Sequence, residues 1–357
     1  MNDATSSLSP RPGLPTRAYT RPADDPGVEL WLDANEGPRA NARRFASAPG
    51  DAESLRRYPD ERPLRGALAA RFRVAVDQVA LGAGADELLD RVCRAYLCPG
   101  RALVAPAPCF AMLPRYGQLT GADLRFVPWP RGPFPRAGVV AAATADANPA
   151  VVFLTSPNNP TGLSIPTGEL LATVDDLTGR LVVVDLAYGE FLTDDPTAAL
   201  LQRPHVLVLR TFSKGYGLAG LRVGYAVGTS ALIAPLSATG SPFPNAGPAL
   251  ALAQLALELG PDTAAIAAVA AERQVLAGAL AERGFEVLPS DANFVFARAG
   301  DPAAARAFAA ALQRAGILIR TFPDAGPDLQ SAMRITCPGD ADDFARLLAA
   351  LPAGGAR

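Results

Sequence analysis

Three short runs along the chain are apolar at every position: Val151-Val152-Phe153-Leu154, Leu181-Val182-Val183-Val184 and Val206-Leu207-Val208-Leu209. Unbroken β-branched and aliphatic runs of this length predict strands buried on both faces, the pattern of a parallel sheet. Each run gives way at once to polar residues. The first leads into Thr155-Ser156-Pro157-Asn158-Asn159-Pro160-Thr161-Gly162, the second into Asp185-Leu186-Ala187-Tyr188, and the third into Arg210 and Thr211-Phe212-Ser213-Lys214-Gly215-Tyr216-Gly217. Ligands of an open α/β sheet bind beyond the carboxyl ends of its strands, so the three polar segments are expected to converge on one site. The intervening stretches are helix-forming or turn-forming, as parallel crossovers require.

A fourth segment changes period. Leu81-Gly82-Ala83-Gly84-Ala85-Asp86-Glu87 is a loop of small residues that opens a stretch with apolar residues at Leu88, Leu89, Val92, Ala95 and Tyr96, the spacing of a helix face. Its glycines permit close backbone approach, and the unpaired N–H groups of a helix start favour a phosphate. The segment is neither a Rossmann G-x-G-x-x-G nor a P-loop, since no lysine follows.

Composition narrows the field by exclusion. A net charge of −2 over 357 residues gives no basic field for nucleic acid or an anionic membrane. The apolar runs read as too short to span a bilayer, and Met1 to Pro26, rich in Ser, Pro, Asp and Arg, lacks the apolar core of a signal peptide. A flexible arm on a cytoplasmic protein is the expectation. Cys93, Cys98, Cys109 and Cys337 have no C-x-x-C spacing and His205 is the sole histidine, so neither a metal site nor a disulfide framework is expected. His205 reads as a strand-start residue, which also removes Ser-His-Asp chemistry.

One cation stands apart. Lys214 is the single lysine among 33 Lys and Arg residues. Arginine stays protonated at any workable pH and cannot form an imine with an aldehyde, whereas a lysine of lowered pKa can. A unique amine, a carboxylate one residue past a buried run (Asp185), a phosphate-sized helix start and Arg222 together match pyridoxal phosphate. That cofactor is an aldehyde with a basic ring nitrogen and a phosphate tail.

With these pieces in place the sequence resembles the class I/II, fold type I, pyridoxal-phosphate aminotransferases, and among them the histidinol-phosphate aminotransferase branch. The matching stretches are Trp31 to Glu36, Arg57-Tyr58-Pro59, Gly84 to Glu87, Ser156 to Gly162, Asp185 to Tyr188, Arg210 to Gly224, Asn293-Phe294, Gly316 to Arg320 and Met333 to Thr336. They run in the family's order over most of the chain. The resemblance implies that Lys214 carries the cofactor covalently and shuttles a proton, that Asp185, ionised and paired, keeps the ring nitrogen protonated, and that Asn159 and Tyr188 bond the ring's phenolate oxygen. It implies phosphate binding by Ala85, Asp86, Thr211, Ser213 and Arg222, with Tyr58 reaching across a homodimer to the neighbouring site. Phe110 would lie on the cofactor ring. Arg334 would clamp a substrate carboxylate, with Arg320 and Asn35 completing the substrate side. Tyr58 and Phe110 also admit a plain reading as packing aromatics, and Arg320 and Arg334 as solvated arginines.

The fold implied is α/β: a large domain with a mostly parallel sheet of the seven-stranded type, plus a smaller α+β domain. We expect an arm at 1–27, a joining segment at 28–54, the large cofactor-binding domain at 55–245 and the small C-terminal domain at 246–357. The partners implied are a small-molecule amine and a 2-oxo acid, best matched by histidinol phosphate and 2-oxoglutarate. An aromatic or other amino-acid aminotransferase, and decarboxylation of a phosphorylated amino acid as in threonine-phosphate decarboxylases, stay open on the same residues. A non-catalytic cofactor-binding regulatory domain is a further alternative, weakened because residues 1–30 leave little room for a DNA-binding module. Two departures from the family pattern stand out: Leu186 where an acidic residue is usual, and Gly37 where the branch often has tyrosine.

Overall fold

The computed structural model describes residues 27–39 and 55–352; the expected arm and most of the joining segment lie outside them. Strand β1 (Leu30–Leu32) is followed by β2 (Val79–Gly82), β3 (Ala102–Ala107), β4 (Asp123–Pro128), β5 (Ala150–Thr155), β6 (Leu181–Asp185), β7 (Val206–Thr211) and β8 (Gly224–Val227). β2 to β8 form a seven-stranded sheet in the order β2-β8-β7-β6-β5-β3-β4, parallel except for β8, which runs against both of its neighbours. The three apolar runs are the centre of this sheet, each extended at its carboxyl end into the polar residues Thr155, Asp185 and Thr211.

Strand periodicity accounts for both faces. Val152, Leu154, Val182, Val184, Val206 and Val208 point into a core under the helices Arg136–Thr144 and Thr167–Asp176. Val151, Phe153, Val183, Leu207 and Leu209 point the other way, under the helices Gly84–Tyr96 and Met112–Thr120. Leu186, which replaces the family's acidic residue, is fully buried in the first of these cores.

A second sheet follows from β9 (Glu286–Val287), β10 (Phe294–Arg298), β11 (Ile317–Thr321) and β12 (Ala332–Thr336), in the order β1-β11-β12-β10-β9. β1 joins it parallel to β11, and the residues just after β1 reach the Lys214 turn beyond the carboxyl end of β7. Helices Thr263–Glu282, Pro302–Arg314 and Ala341–Ala350 cover this sheet. The helix Gly247–Leu259, by contrast, packs through Ala249, Leu250, Ala253 and Leu257 with the large-sheet residues Val79, Tyr225 and Val227. We therefore propose that the boundary between the two bodies falls after Leu259 rather than at residue 245.

The reading that no apolar stretch reaches spanning length needs correction. Thr263–Glu282 is long and apolar enough to cross a membrane by composition, because alanines fill it. It packs through Val269, Leu276 and Leu280 into the core of the second sheet.

Candidate active site

The carboxyl ends of β5, β6 and β7 bring the predicted residues to one cleft. Asp185 is the last residue of β6, its Cα paired with Thr155 on one side and Leu209 on the other. Its carboxylate is buried and accepts the Ala187 N–H at 2.9 Å. Burial raises its pKa to about 6, with the Ala187 hydrogen bond pulling down, Asp86 adding to the rise and Lys214 opposing it. The expected ionised, paired carboxylate thus lacks a close basic side chain here, and a protonated ring nitrogen is the kind of partner it fits.

Lys214 lies in the turn after β7 and its Nζ donates to the carbonyl oxygens of Asn35, at 2.7 Å, and Ala34, at 3.1 Å. Desolvation lowers its pKa to about 7, helped by Arg334 and Arg222 and opposed by Glu36 and Asp185. An amine neutral near pH 7 is a nucleophile and a base. In the cofactor-free protein these two groups bend stability in opposite ways. The contribution of Asp185 is full below pH 3.8 and is lost as pH rises through about 6, whereas that of Lys214 grows from about 7 toward 10.5.

The phosphate end is built from two loops. The helix Gly84–Tyr96 starts without a side-chain cap, so its first N–H groups are open to an anion. Facing it, the Thr211 hydroxyl donates to Ser213 Oγ at 2.9 Å. Arg222, in the left-handed region at φ 52°, donates to Ala83 O at 3.3 Å. Gly84, at φ 84°, has no room for a side chain: a Cβ there would stand 2.6 Å from Arg222 Nη2. Gly224 lets β8 approach in the same way, since a Cβ would overlap the Ala85 backbone nitrogen. Asn245 ties the two loops together, its Nδ2 donating to Gly82 O at 3.0 Å and to Arg222 O at 2.8 Å. Asp86 accepts the Tyr116 hydroxyl at 2.7 Å, and burial raises its pKa.

The remaining predicted residues divide between the two sheets. Tyr188, fully enclosed, accepts Asn35 Nδ2 at 3.0 Å, which leaves its own hydroxyl proton to donate. Asn159 Oδ1 accepts Arg334 Nη1 at 2.6 Å, which leaves the amide N–H groups as donors. Arg334 also donates through Nη2 to Asp33 O at 2.6 Å and lies over the Phe294 ring. Arg320 is directly opposite Arg334 in the β11–β12 pairing, so both side chains leave the same face of the sheet. Phe110 packs at the edge of the core beneath the Gly84–Tyr96 helix. Tyr58 is 81% exposed and stacks on Phe243, with ring centroids 4.5 Å apart, and it does not join this cleft within its own chain. His205 sits just before β7 with Nε2 3.1 Å from Val174 O, remote from these contacts.

The donor set fits pyridoxal phosphate: open helix N–H groups, two hydroxyls and a guanidinium for a phosphate, a buried carboxylate for a ring nitrogen, and a depressed amine for an aldehyde. Sequence reasoning gave no role to Asn245, Tyr116, Asn293 or Thr336. Asn293 and Thr336 fall in family-like stretches, but Asn245 and Tyr116 carry no local signal. Below the cleft, Arg210 pairs with Glu190 at 2.8 Å and with Asp195 at 2.5 Å, fastening the segment after Tyr188 to β7.

The family described as "Aminotransferase class I and II" matches residues 30–351. A histidinol-phosphate aminotransferase of Xanthomonas euvesicatoria is 39% identical over 338 residues, covering 90% of each chain. Histidinol-phosphate aminotransferase 1 of Bradyrhizobium diazoefficiens is 36% identical over 330 residues, covering 90% of this chain and 91% of its own. Among solved structures, the histidinol-phosphate aminotransferase of Sinorhizobium meliloti, in complex with pyridoxal-5′-phosphate, superposes with a TM-score of 0.80. It is 29% identical and covers 91% of this chain and 90% of its own.

Proposed function

This chain belongs to the class I and II aminotransferases, and from that premise we propose that it transfers the amino group of histidinol phosphate to 2-oxoglutarate, with pyridoxal 5′-phosphate as cofactor. The bound cofactor supplies an aldehyde for the substrate amine and a ring that accommodates the electron pair left when Cα loses its proton. Lys214 Nζ, whose pKa burial lowers, would be the base that takes and returns that proton. Asp185 would hold the ring nitrogen in its protonated form, and Tyr188 and Asn159 would offer donors to the ring's oxygen. The Gly84–Asp86 helix start, Thr211, Ser213 and Arg222 would hold the phosphate.

The observation that carries the substrate reading is the Arg320–Arg334 pair. The two are directly opposite across the β11–β12 ladder, so two positive charges share one face of the sheet, a setting that favours a bound anion. Histidinol phosphate brings a phosphate dianion and 2-oxoglutarate two carboxylates, so both partners of one alternating site offer two negative charges to the same cations. The names of the relatives support the same substrate. An amine-donor screen tests it: the amine form of the cofactor should return to the aldehyde form on addition of 2-oxoglutarate. Release of carbon dioxide instead would favour the decarboxylase reading. Replacing Arg320, which is half-buried, by Ala should cost about 1.5 to 3 kcal/mol in transition-state binding for histidinol phosphate, the scale of one hydrogen bond between charged groups, and should change little for an unphosphorylated aromatic amine. Equal losses on both would make Arg320 structural.

We further propose a homodimer with shared sites, supported by Tyr58, which stands exposed on Phe243 away from its own cleft. Mixing Tyr58→Ala with Lys214→Ala chains should then regenerate one complete site per heterodimer. A purified heterodimer with no activity above that of its parents would return Tyr58 to a packing role. A cytoplasmic setting is also proposed, supported by four free thiols, at Cys93, Cys98, Cys109 and Cys337.

A further inference from the structure

Lys214 is gripped at both ends by one short segment. Its amine donates to the Ala34 and Asn35 carbonyl oxygens, and its own carbonyl oxygen faces Gly37. A Cβ at residue 37 would overlap that oxygen and stand 2.9 Å from Gly217 Cα. The same oxygen accepts the Gly217 N–H at 3.0 Å, closing the turn that carries the lysine. Backbone therefore lies directly on backbone, with no side chain between.

The segment is itself anchored to the second sheet and the cleft. Asn293 Nδ2 donates to Glu36 O at 2.9 Å, the Asn35 N–H to Thr336 Oγ1 at 3.1 Å, and Asn35 Nδ2 to Tyr188 at 3.0 Å. Asn35 takes up the left-handed backbone, φ 51°, to make these contacts.

We propose that Gly37 is a positioning residue: its missing side chain lets residues 34–37 seat on the Lys214 turn, fixing where Nζ lies and keeping water from it. The proposal rests on Lys214 being the residue that carries the cofactor. A methyl at 37 can be accommodated only if the segment lifts by on the order of 1 to 2 Å, the distance that restores ordinary van der Waals contact. Lifting it breaks both carbonyl contacts to Nζ and admits water. Of the charged groups that act on the amine, Arg334, Arg222 and Asp185 stay in place, while Glu36, whose attraction raises the pKa, moves away with the segment, so a rise in the midpoint comes from water and not from charge. The titration of Lys214 then reports solvent access.

Because Lys214 is the only lysine, trace acylation of the cofactor-free protein, followed by peptide mass spectrometry, reads its amine directly, with the α-amine as internal standard. The parent should show a midpoint near 7, and Gly37→Ala a midpoint higher by about one pH unit or more. In the holoenzyme Gly37→Ala should lose about 100-fold in kcat, the usual penalty for a misplacement of about 1 Å, while retaining the cofactor. Gly168→Ala, where a Cβ meets nothing within 4 Å, controls for the glycine change itself and should leave both readouts unchanged. Should Gly37→Ala fail to fold, Asn293→Ala loosens the same segment without adding an atom, and its midpoint should rise as well. A folded Gly37→Ala or Asn293→Ala protein that titrates like the parent overturns the proposal. Separately, pyridoxal phosphate must protect Lys214 from acylation; without protection it is the cofactor assignment that falls.

Discussion

Replacing Lys214 by Ala should lower turnover by about four orders of magnitude or more, the combined loss of the proton-transfer base and the covalent anchor. Among the described residues nothing else can stand in. No second lysine exists, and the guanidinium groups nearest the cleft, Arg222 and Arg334, are committed to Ala83 and to Asn159 and Asp33. Burial lowers the pKa of this amine, to about 7 in the cofactor-free protein, and in the loaded site the pKa of the freed amine should set the pH dependence. Below it the freed amine is protonated and cannot take the Cα proton, so the half-reaction rate of the parent should fall on the acid side; above it the rate should level off. Single-turnover measurement with an amine donor separates this step from product release. Borohydride treatment of the loaded parent should leave the cofactor mass on the Lys214 peptide. Fully loaded, reduced protein with an unmodified Lys214 would sink the assignment. Lys214→Arg should be as inactive as Lys214→Ala, because the charge is retained but no neutral amine can form. Partial activity in that variant would show that charge, rather than the amine, matters.

The chemistry of the site was legible where it is written at strand ends. Val151–Leu154, Leu181–Val184 and Val206–Leu209 announced their strands by uninterrupted apolar character, and the polar residues after them marked the cleft. Strand boundaries were not legible in the same way, because Thr155, Asp185 and Thr211 continue the ladder through backbone hydrogen bonds that side-chain polarity does not reveal. The second sheet was harder still. β1 pairs with β11, so that Leu30 meets Ile317, and no local pattern encodes a partner so distant in sequence. The contacts of Asn245 and Tyr116 are of the same kind: single polar residues whose role depends on what folding brings opposite them. Gly37 shows the complementary case. In sequence it is a missing aromatic contact; in the fold it lies against the Lys214 carbonyl, where a Cβ on this backbone would overlap the oxygen.

Asp185→Asn should lower kcat by about 10²- to 10³-fold with little change in KM, the penalty for losing one preorganised charge aimed at the reacting system. The replacement is nearly isosteric, so packing at the end of β6 and the hydrogen bond to the Ala187 N–H can survive. What is lost is the negative charge that holds a proton on the ring nitrogen. Burial is the largest cause of the rise of this carboxyl to about 6, so in the cofactor-free protein much of its charge is gone by pH 5. A cationic partner reverses that shift, since an ionised carboxylate beside a positive charge is favoured over a neutral one. Cofactor binding should therefore release the carboxyl proton near pH 5 to 6, and cofactor affinity should strengthen as pH rises through about 6. In Asp185→Asn the part of that pH dependence centred below about 6 should vanish, leaving the part that the Lys214 amine contributes, while the phosphate contacts keep the cofactor bound. Calorimetric titration in two buffers of different ionisation enthalpy measures the proton count in both proteins. Equal proton release from parent and variant would show that Asp185 is not the ring's partner, whatever the loss in kcat.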